Sequence, residues 1–256
     1  MTIFHLDTVR NAPIDRAVEP LLEELRQRLQ SLSIAEDGEW SARDVLAVFD
    51  SSRPRLNVLA SQLRDLSGRT GADVSTGFGF LPWLLGRLGL EVTATECGSD
   101  TPALVLAPAG IDVRLYCIGR SPPPFPPRSL DYLVFAEVLE HLKLPPVAVL
   151  TELAGMLVPG GRLLLTTPNV ARLAHLEALA AGENFLEPFP EEVQWGEDAT
   201  DALEHVREYS VREVVEAVEG AGLAVDEVML TGWGEAGYDP APNPYANEII
   251  VVRATR

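Results

Sequence analysis

The sequence predicts an α/β fold built on a mostly parallel sheet, preceded by a helical segment. Three observations carry this. From residue 71 onward, short strand-like runs alternate with runs of helical periodicity, the order that right-handed strand–helix–strand crossovers produce. Ahead of residue 70 only helical spacing is found. The third is Ala72-Asp73-Val74-Ser75-Thr76-Gly77-Phe78-Gly79-Phe80, a glycine turn between a β-type run and an apolar helical run, followed by Val92–Glu96, a strand ending in a carboxylate. Strand, tight loop, helix, strand, acid is the order of a nucleotide site. The glycines let backbone approach a ligand, and the acid can grip two ribose hydroxyls.

Each element has its own signal. Val18, Leu21, Leu22, Leu25, Leu29 and Leu32 fall at helical spacing within residues 13–34,. Ser41 with Asp44 resembles a capping arrangement for a helix over 42–49, and 54–67 gives a third helix,. Residues 1–69 are therefore expected to be a helical addition, and 70–256 the α/β domain. Strands are expected near 72–75, 91–96, 112–118, 130–136 and 161–167, with helices near 79–89, 99–108 and 145–158. Five prolines within 122–127 make an extended connector,, and Pro159-Gly160-Gly161 turns the chain into the fifth strand. A helix is expected near 170–181. Ser210 and Glu213 form a capping box for a helix at 211–221, and strands near 223–231 and 246–253 complete the domain,. Residues 183–204 carry eight acids and no base. They read either as a solvated loop or, given Phe185, Phe189 and Trp195, as a lid over the site.

Composition narrows the function classes. A hydrophobic content of 46% supports a substantial core,. The formal charge of −18 argues against nucleic acid as a partner, because binders of phosphate backbones normally carry a basic footprint,. Cys97 and Cys117 are too few for a disulfide framework and lack metal-ligand spacing, so a reduced, cytoplasmic setting is expected,. Residues 1–20 lack a signal-peptide pattern, and no apolar run approaches the roughly 20 residues that span a bilayer,. A small-molecule substrate, with no membrane partner, is the expectation.

Ligands of an open parallel sheet sit at the carboxyl ends of its strands. Those ends carry Asp73–Gly79, Glu96, Phe135-Ala136-Glu137 and Thr166-Thr167-Pro168-Asn169. If Glu137–Leu142 is helical, then Glu137, Glu140 and His141 share an arc of about 100°. Two carboxylates and an imidazole there can hold a hard divalent cation or act as general base; an ordinary solvated polar face is the plainer reading. His5 and His175 read as structural or solvated, and Trp40, Trp83 and Trp233 as packing residues.

Asp73–Gly79, Glu96, the run Leu130–Leu142 with its Glu137-Val138-Leu139-Glu140-His141, and Leu157–Asn169 together resemble a class I S-adenosylmethionine-dependent methyltransferase. The resemblance implies a Rossmann-like, seven-stranded, mostly parallel sheet with an antiparallel C-terminal strand. It implies S-adenosylmethionine as cofactor, with Asp73, Ser75, Gly77, Gly79, Glu96 and Ala136 as its contacts. Gly77–Gly79 would lie against the methionine part and Glu96 on the ribose. The Glu-x-x-Glu-His run is similar to that of the ubiquinone-pathway O-methyltransferases and of the small-RNA ribose methyltransferases. In the latter such residues bind a divalent metal together with a later histidine, matched here by His205 in His205-Val206-Arg207-Glu208-Tyr209. That carries over Glu137, Glu140, His141 and His205 as metal ligands, Mg2+ or another divalent ion, with His141, Glu137 and His205 as catalytic candidates.

Two departures stand out. Ser75 occupies the position of the family's first loop glycine, and Ile118-Gly119-Arg120-Ser121 offers no acid to the adenine. These keep open a degenerate binding protein beside the leading expectation, methyl transfer to a hydroxyl. A dinucleotide oxidoreductase on the same topology is disfavoured because Pro82 stands where its third glycine would be.

Overall fold

The structure, a computed structural model, describes residues 9–32, 40–98, 105–186, 205–232 and 247–256. One eight-stranded sheet forms its centre. The strands are β1 (Arg10–Asn11), β2 (Thr70–Val74), β3 (Glu91–Glu96), β4 (Val113–Leu115), β5 (Leu130–Ala136), β6 (Leu157–Pro168), β7 (Ala224–Thr231) and β8 (Ile249–Thr255). They lie in the order β1-β7-β8-β6-β5-β2-β3-β4. Every described pairing is parallel except those of β8, which runs antiparallel between β6 and β7. The expected parallel sheet with an antiparallel C-terminal strand is therefore present, with one strand more than the seven implied.

The additional strand is β1, which pairs with Met229 and Leu230 at the sheet edge. Residues 1–69 are thus not purely helical. A two-residue strand is too short to leave any period-2 signal, and its Asn11 side chain accepts a hydrogen bond from Asn247, far away in sequence.

Helices cover both faces. On one lie α1 (Glu19–Gln30), α2 (Ala42–Leu63) and α3 (Phe80–Arg87). Leu22, Leu25, Leu29, Phe49, Leu59, Leu84 and Leu85 there form a core with the sheet residues Tyr132, Val134, Leu164 and Val251. On the other lie α4 (Pro146–Met156) and α6 (Val211–Gly220), whose Leu150, Leu153, Val214 and Val218 pack on Leu133, Phe135, Leu163 and Val252. A further helix, α5 (Leu173–Ala181), follows β6.

Local chemistry explains the helix boundaries. Both expected capping boxes form: Ser41 with Asp44 opens α2, and Ser210 with Glu213 opens α6. The break expected between 49 and 54 does not occur, and α2 runs through Pro54 as a single helix of 22 residues. Proline removes one hydrogen bond from a helix interior, but Phe49, Leu56, Leu59 and Leu63 on either side are all buried, so tertiary packing carries the helix across,. The helix expected from residue 13 begins at Glu19, with Pro20 in its first turn, where a missing N–H costs nothing,. Of the helix expected at 99–108, residues 99–104 fall outside the described residues; Val105 and Leu106 are α-helical, and a short helical turn at Ala107–Ala109 follows. The lid segment lies outside them from residue 187, as do His5 and Trp233.

Cys97 and Cys117 form a disulfide, contrary to the expectation of two reduced thiols. The parallel crossover sets the carboxyl ends of β3 and β4 side by side, with the two Cα atoms 4.8 Å apart, although 20 positions separate them in sequence. Cysteine usage therefore no longer argues for a reducing compartment. Among the described residues, no helix is long and apolar enough to cross a membrane.

Candidate active site

The carboxyl ends of β2 and β5 meet at one cleft of about 620 Å³, measured with its open mouth. Asp73, Ser75, Thr76, Gly77, Phe78, Ala136 and Glu137 line it from the sheet side. Val48, Ser52, Arg55, Leu56 and Leu59 line it from α2, so this helix forms one wall of the cleft.

The glycine loop is built for close approach. Ser75 has φ 58° and Gly77 φ 58°, both in the left-handed region that glycine adopts without cost,. Ser75 thus keeps the backbone of the glycine it replaces, and the loop shape survives the first departure. Gly79, with φ 78°, faces Leu106, and a Cβ there would stand 2.8 Å from Leu106 Cγ.

Side chains lock the loop to the strands. Thr76 Oγ1 donates to Asp73 Oδ2 at 2.6 Å, and the Thr76 N–H donates to the Thr95 carbonyl at 2.9 Å. Glu96 at the end of β3 accepts from the Gly77 N–H at 2.9 Å and from the Cys97 N–H at 2.8 Å. One carboxylate oxygen is thereby held at the glycine loop and the other at the N–H of the residue that follows β3. Asp73 is buried at 3% exposure, and burial, with Glu96 adding to it, pushes its carboxyl up to about 7 despite the Thr76 bond. Through Thr76 it ties the loop to the end of β2, and it lines the cleft.

Arg55, which sequence reading passed over, enters the cleft from α2. Its guanidinium forms an ion pair with Glu137 at 3.0 Å. Burial pulls its pKa down to about 10, with Glu140 and Asp73 opposing the shift, so it remains a cation at neutral pH. One buried positive charge therefore faces both the glycine loop and the end of β5.

The run after β5 is not the expected helix. Glu137 has φ 55°, and only Leu139–His141 forms a short helical turn. The chain reverses at Glu137, so its carboxylate turns toward Arg55 and away from the group formed by Glu140 and His141. The structure does bring Glu140, His141 and His205 together, with candidate ligand atoms within 4.8 Å of one another. Backbone bonds make the match across the sequence gap: the N–H groups of Val206 and Arg207 donate to the Glu140 carbonyl at 2.8 and 3.1 Å. Three of the four candidate ligands carried over thus converge, and Glu137 lines the cleft instead.

The group has a distinct electrostatic character. Glu140 is fully buried; Thr167 Oγ1 donates to its Oε2 at 2.9 Å, and no hydrogen bond reaches its Oε1. Burial raises its carboxyl, opposed by the Thr167 bond and the nearby His205 and Arg55. His141 and His205 meet edge to face with ring centroids 5.0 Å apart. His205 Nδ1 lies 2.9 Å from Glu208 Oε1, and that bond, supported by Glu140, holds the imidazolium above its ordinary pKa. Buried Glu208 also meets Arg172 at 3.0 Å and His175 at 3.4 Å. Burial opposes its ionisation, but His205, Arg172 and His175 together hold its carboxyl below the usual range. His175, read from sequence as structural or solvated, is a buried member of this network, stacked on Phe185.

The donor set fits a divalent cation. A buried carboxylate oxygen without a hydrogen-bond partner and two imidazoles are ligands suited to a transition ion or Mn2+, more than to Mg2+, which takes mostly oxygen. Glycine loop, strand-end acid and a base-capable group are the parts from which a nucleotide-cofactor transferase site can be built on a doubly wound sheet.

Comparison with known proteins agrees. The family model described as "Methyltransferase domain" matches residues 55–228. A ubiquinone biosynthesis O-methyltransferase of Xylella fastidiosa (strain 9a5c) is 31% identical over 175 residues, covering 64% of this chain and 68% of that protein. The counterpart from Xanthomonas euvesicatoria pv. vesicatoria is 29% identical over 134 residues, and the chain spans only 55% of its length. Among solved structures, an S-adenosylmethionine-dependent methyltransferase from Mesorhizobium loti superposes with a TM-score of 0.56 at 17% identity, covering 80% of this chain and 98% of that one. One from Aquifex aeolicus gives 0.52 at 22% identity, covering 85% and 99%. The chain belongs to the class I S-adenosylmethionine-dependent methyltransferase family.

Proposed function

We propose that this methyltransferase transfers the methyl group to a hydroxyl of a small organic acceptor, and that Glu140, His141 and His205 prepare that hydroxyl. The observation that carries the reading is the convergence of these three side chains beside the cleft. The naming of the Xylella and Xanthomonas relatives as O-methyltransferases supports the choice of oxygen.

The residues of the chain divide the work. Ser75, Gly77, Gly79 and Ala136 offer backbone to the cofactor, Glu96 its carboxylate to the ribose, and Arg55 a cation to the methionine carboxylate. When bound, S-adenosylmethionine supplies a methyl group on a sulfonium, open to in-line displacement. Phe78, Phe80 and Leu81 exclude water from the cleft, and Phe80 is held by Phe49 with ring centroids 5.3 Å apart,.

An alcohol or phenol is a poor nucleophile until its proton leaves. His205 can accept that proton at the ring nitrogen not engaged by Glu208. A divalent cation held by Glu140, His141 and His205 would lower the pKa of a hydroxyl beside it.

The test is turnover with a panel of phenols, catechols and aliphatic alcohols, with and without chelator. Activity on hydroxyl acceptors that chelator abolishes supports the cation; activity that survives chelator leaves His205 as base. Methylation confined to amines would overturn the choice of oxygen.

A further inference from the structure

Glu208 serves no step described above, yet its side chain is only 4% exposed and is approached by three donors: His205, Arg172 and His175. Burying a carboxylate is costly unless it is paired. The pairing is uneven. Glu208 Oε1 lies 2.9 Å from His205 Nδ1 and 3.0 Å from Arg172 Nη2. His175 Nδ1 stands 3.4 Å from Oε2 and 3.1 Å from the Val170 carbonyl. Arg172, at the N-terminus of α5, and His175, on its first turn, thus fix the carboxylate from one side, and His205 receives it from the other.

A carboxylate can only accept. The nitrogen of His205 facing Glu208 must therefore carry a hydrogen, which in the neutral ring leaves the other nitrogen as the lone-pair donor. We propose that Glu208 is the positioning residue of the site: it holds neutral His205 in the Nδ1–H form, so that Nε2 is the nitrogen offered to Glu140, His141 and any cation or hydroxyl between them. The arrangement is that of a carboxylate–histidine pair behind a metal or a proton-transfer site, where the second carboxylate sets the tautomer and orientation of the ring. Arg172 prevents Glu208 from turning to solvent, and the hydrogen bonds of the 205–209 segment to Glu140 fix the backbone between them.

This inference rests on the reading of Glu140, His141 and His205 as the reacting group, but its first readout needs neither metal nor turnover. Nitrogen-15 spectra of the histidine rings, assigned with a His205→Gln variant and recorded where the rings are neutral, report the tautomer of His205 directly. The wild-type protein is expected to show Nδ1–H, and Glu208→Gln a shift toward the Nε2–H form. Mn2+ titration should show affinity weakened about 10- to 100-fold in Glu208→Gln, as for other lost carboxylate partners of a histidine ligand. Binding of S-adenosylhomocysteine should stay unchanged and certifies that the variant is folded. Should that variant fail to bind it, the wild-type tautomer alone decides. An Nε2–H form in the wild-type protein overturns the proposal, and so does a Glu208→Gln variant with unchanged tautomer and unchanged Mn2+ affinity. Failure of wild-type protein to bind Mn2+ at all, with Nδ1–H observed, removes the cation from the proposed function and leaves Glu208 positioning a base.

Discussion

The guanidinium of Arg55 stands 3.0 Å from the carboxylate of Glu137, joining helix α2 to the end of β5 across the cleft. The pair is largely buried on both sides, and Asp73 and Glu140 contribute to the field at Arg55. Helix α2 thus brings a buried positive charge to the wall of the cleft.

Replacing Arg55 with methionine keeps the volume but removes the cation paired with Glu137. Breaking a buried pair costs about 3–5 kcal/mol, so denaturant unfolding should register a loss of that order. Calorimetry should also show weaker binding of S-adenosylhomocysteine. Arg55→Lys, which keeps the charge but not the planar fork, should fall between. Unchanged cofactor affinity in both variants would remove Arg55 from the binding site.

The buried carboxyl of Asp73 should give stability a measurable pH dependence. Its pKa of about 7 in the fold lies above the ordinary 3.8. The folded state therefore favours the neutral form, and this contribution is full below pH 4 and lost as pH rises through 7. Asp73→Asn imitates the neutral form at every pH. Relative to it, the wild-type protein should lose up to about 4 kcal/mol between pH 4 and 8. Urea unfolding of both proteins at several pH values checks this, and a constant difference contradicts it.

The Cys97–Cys117 disulfide fastens the end of β4, a three-residue edge strand, to the residue next to Glu96. Closing a loop of 20 positions should be worth about 3 kcal/mol. The double Cys→Ser variant should unfold at correspondingly lower denaturant and bind S-adenosylhomocysteine less tightly. Equal midpoints for the oxidised protein and the variant would show that the bridge holds nothing.

Glu140 offers a separation of binding from chemistry. Because burial already raises its carboxyl, the neutral Glu140→Gln should leave the ligand-free fold intact. Its kcat should fall by about 10²–10⁴, the range for loss of a group assisting proton transfer, with little change in affinity for S-adenosylhomocysteine. A kcat near the wild-type value would place the chemistry elsewhere.

Much of this was legible in the sequence, for physical reasons. Leu130–Ala136 matches its expected strand because a central parallel strand reads as a continuous apolar run,. The two capping boxes were legible because they are local, three residues from donor to acceptor. What stayed hidden depends on contacts distant in sequence: β1 at the sheet edge, the disulfide between strand ends, and Arg55 reaching Glu137 from a helix. Glu137 misled because the helical arc assumed for Glu137–Leu142 ignored the left-handed turn that ends β5. Glu208 had a signal, its i,i+3 spacing from His205, but only the fold shows that the two side chains meet.

The most direct test of the account follows a deuterated methyl group from S-adenosylmethionine to a catechol or phenol by mass spectrometry, comparing wild-type protein with His205→Ala. Label on oxygen is expected with the wild-type protein, and a rate at least about 10²-fold lower with the variant. Label on nitrogen or carbon alone, or a His205→Ala variant as fast as wild type, would contradict this.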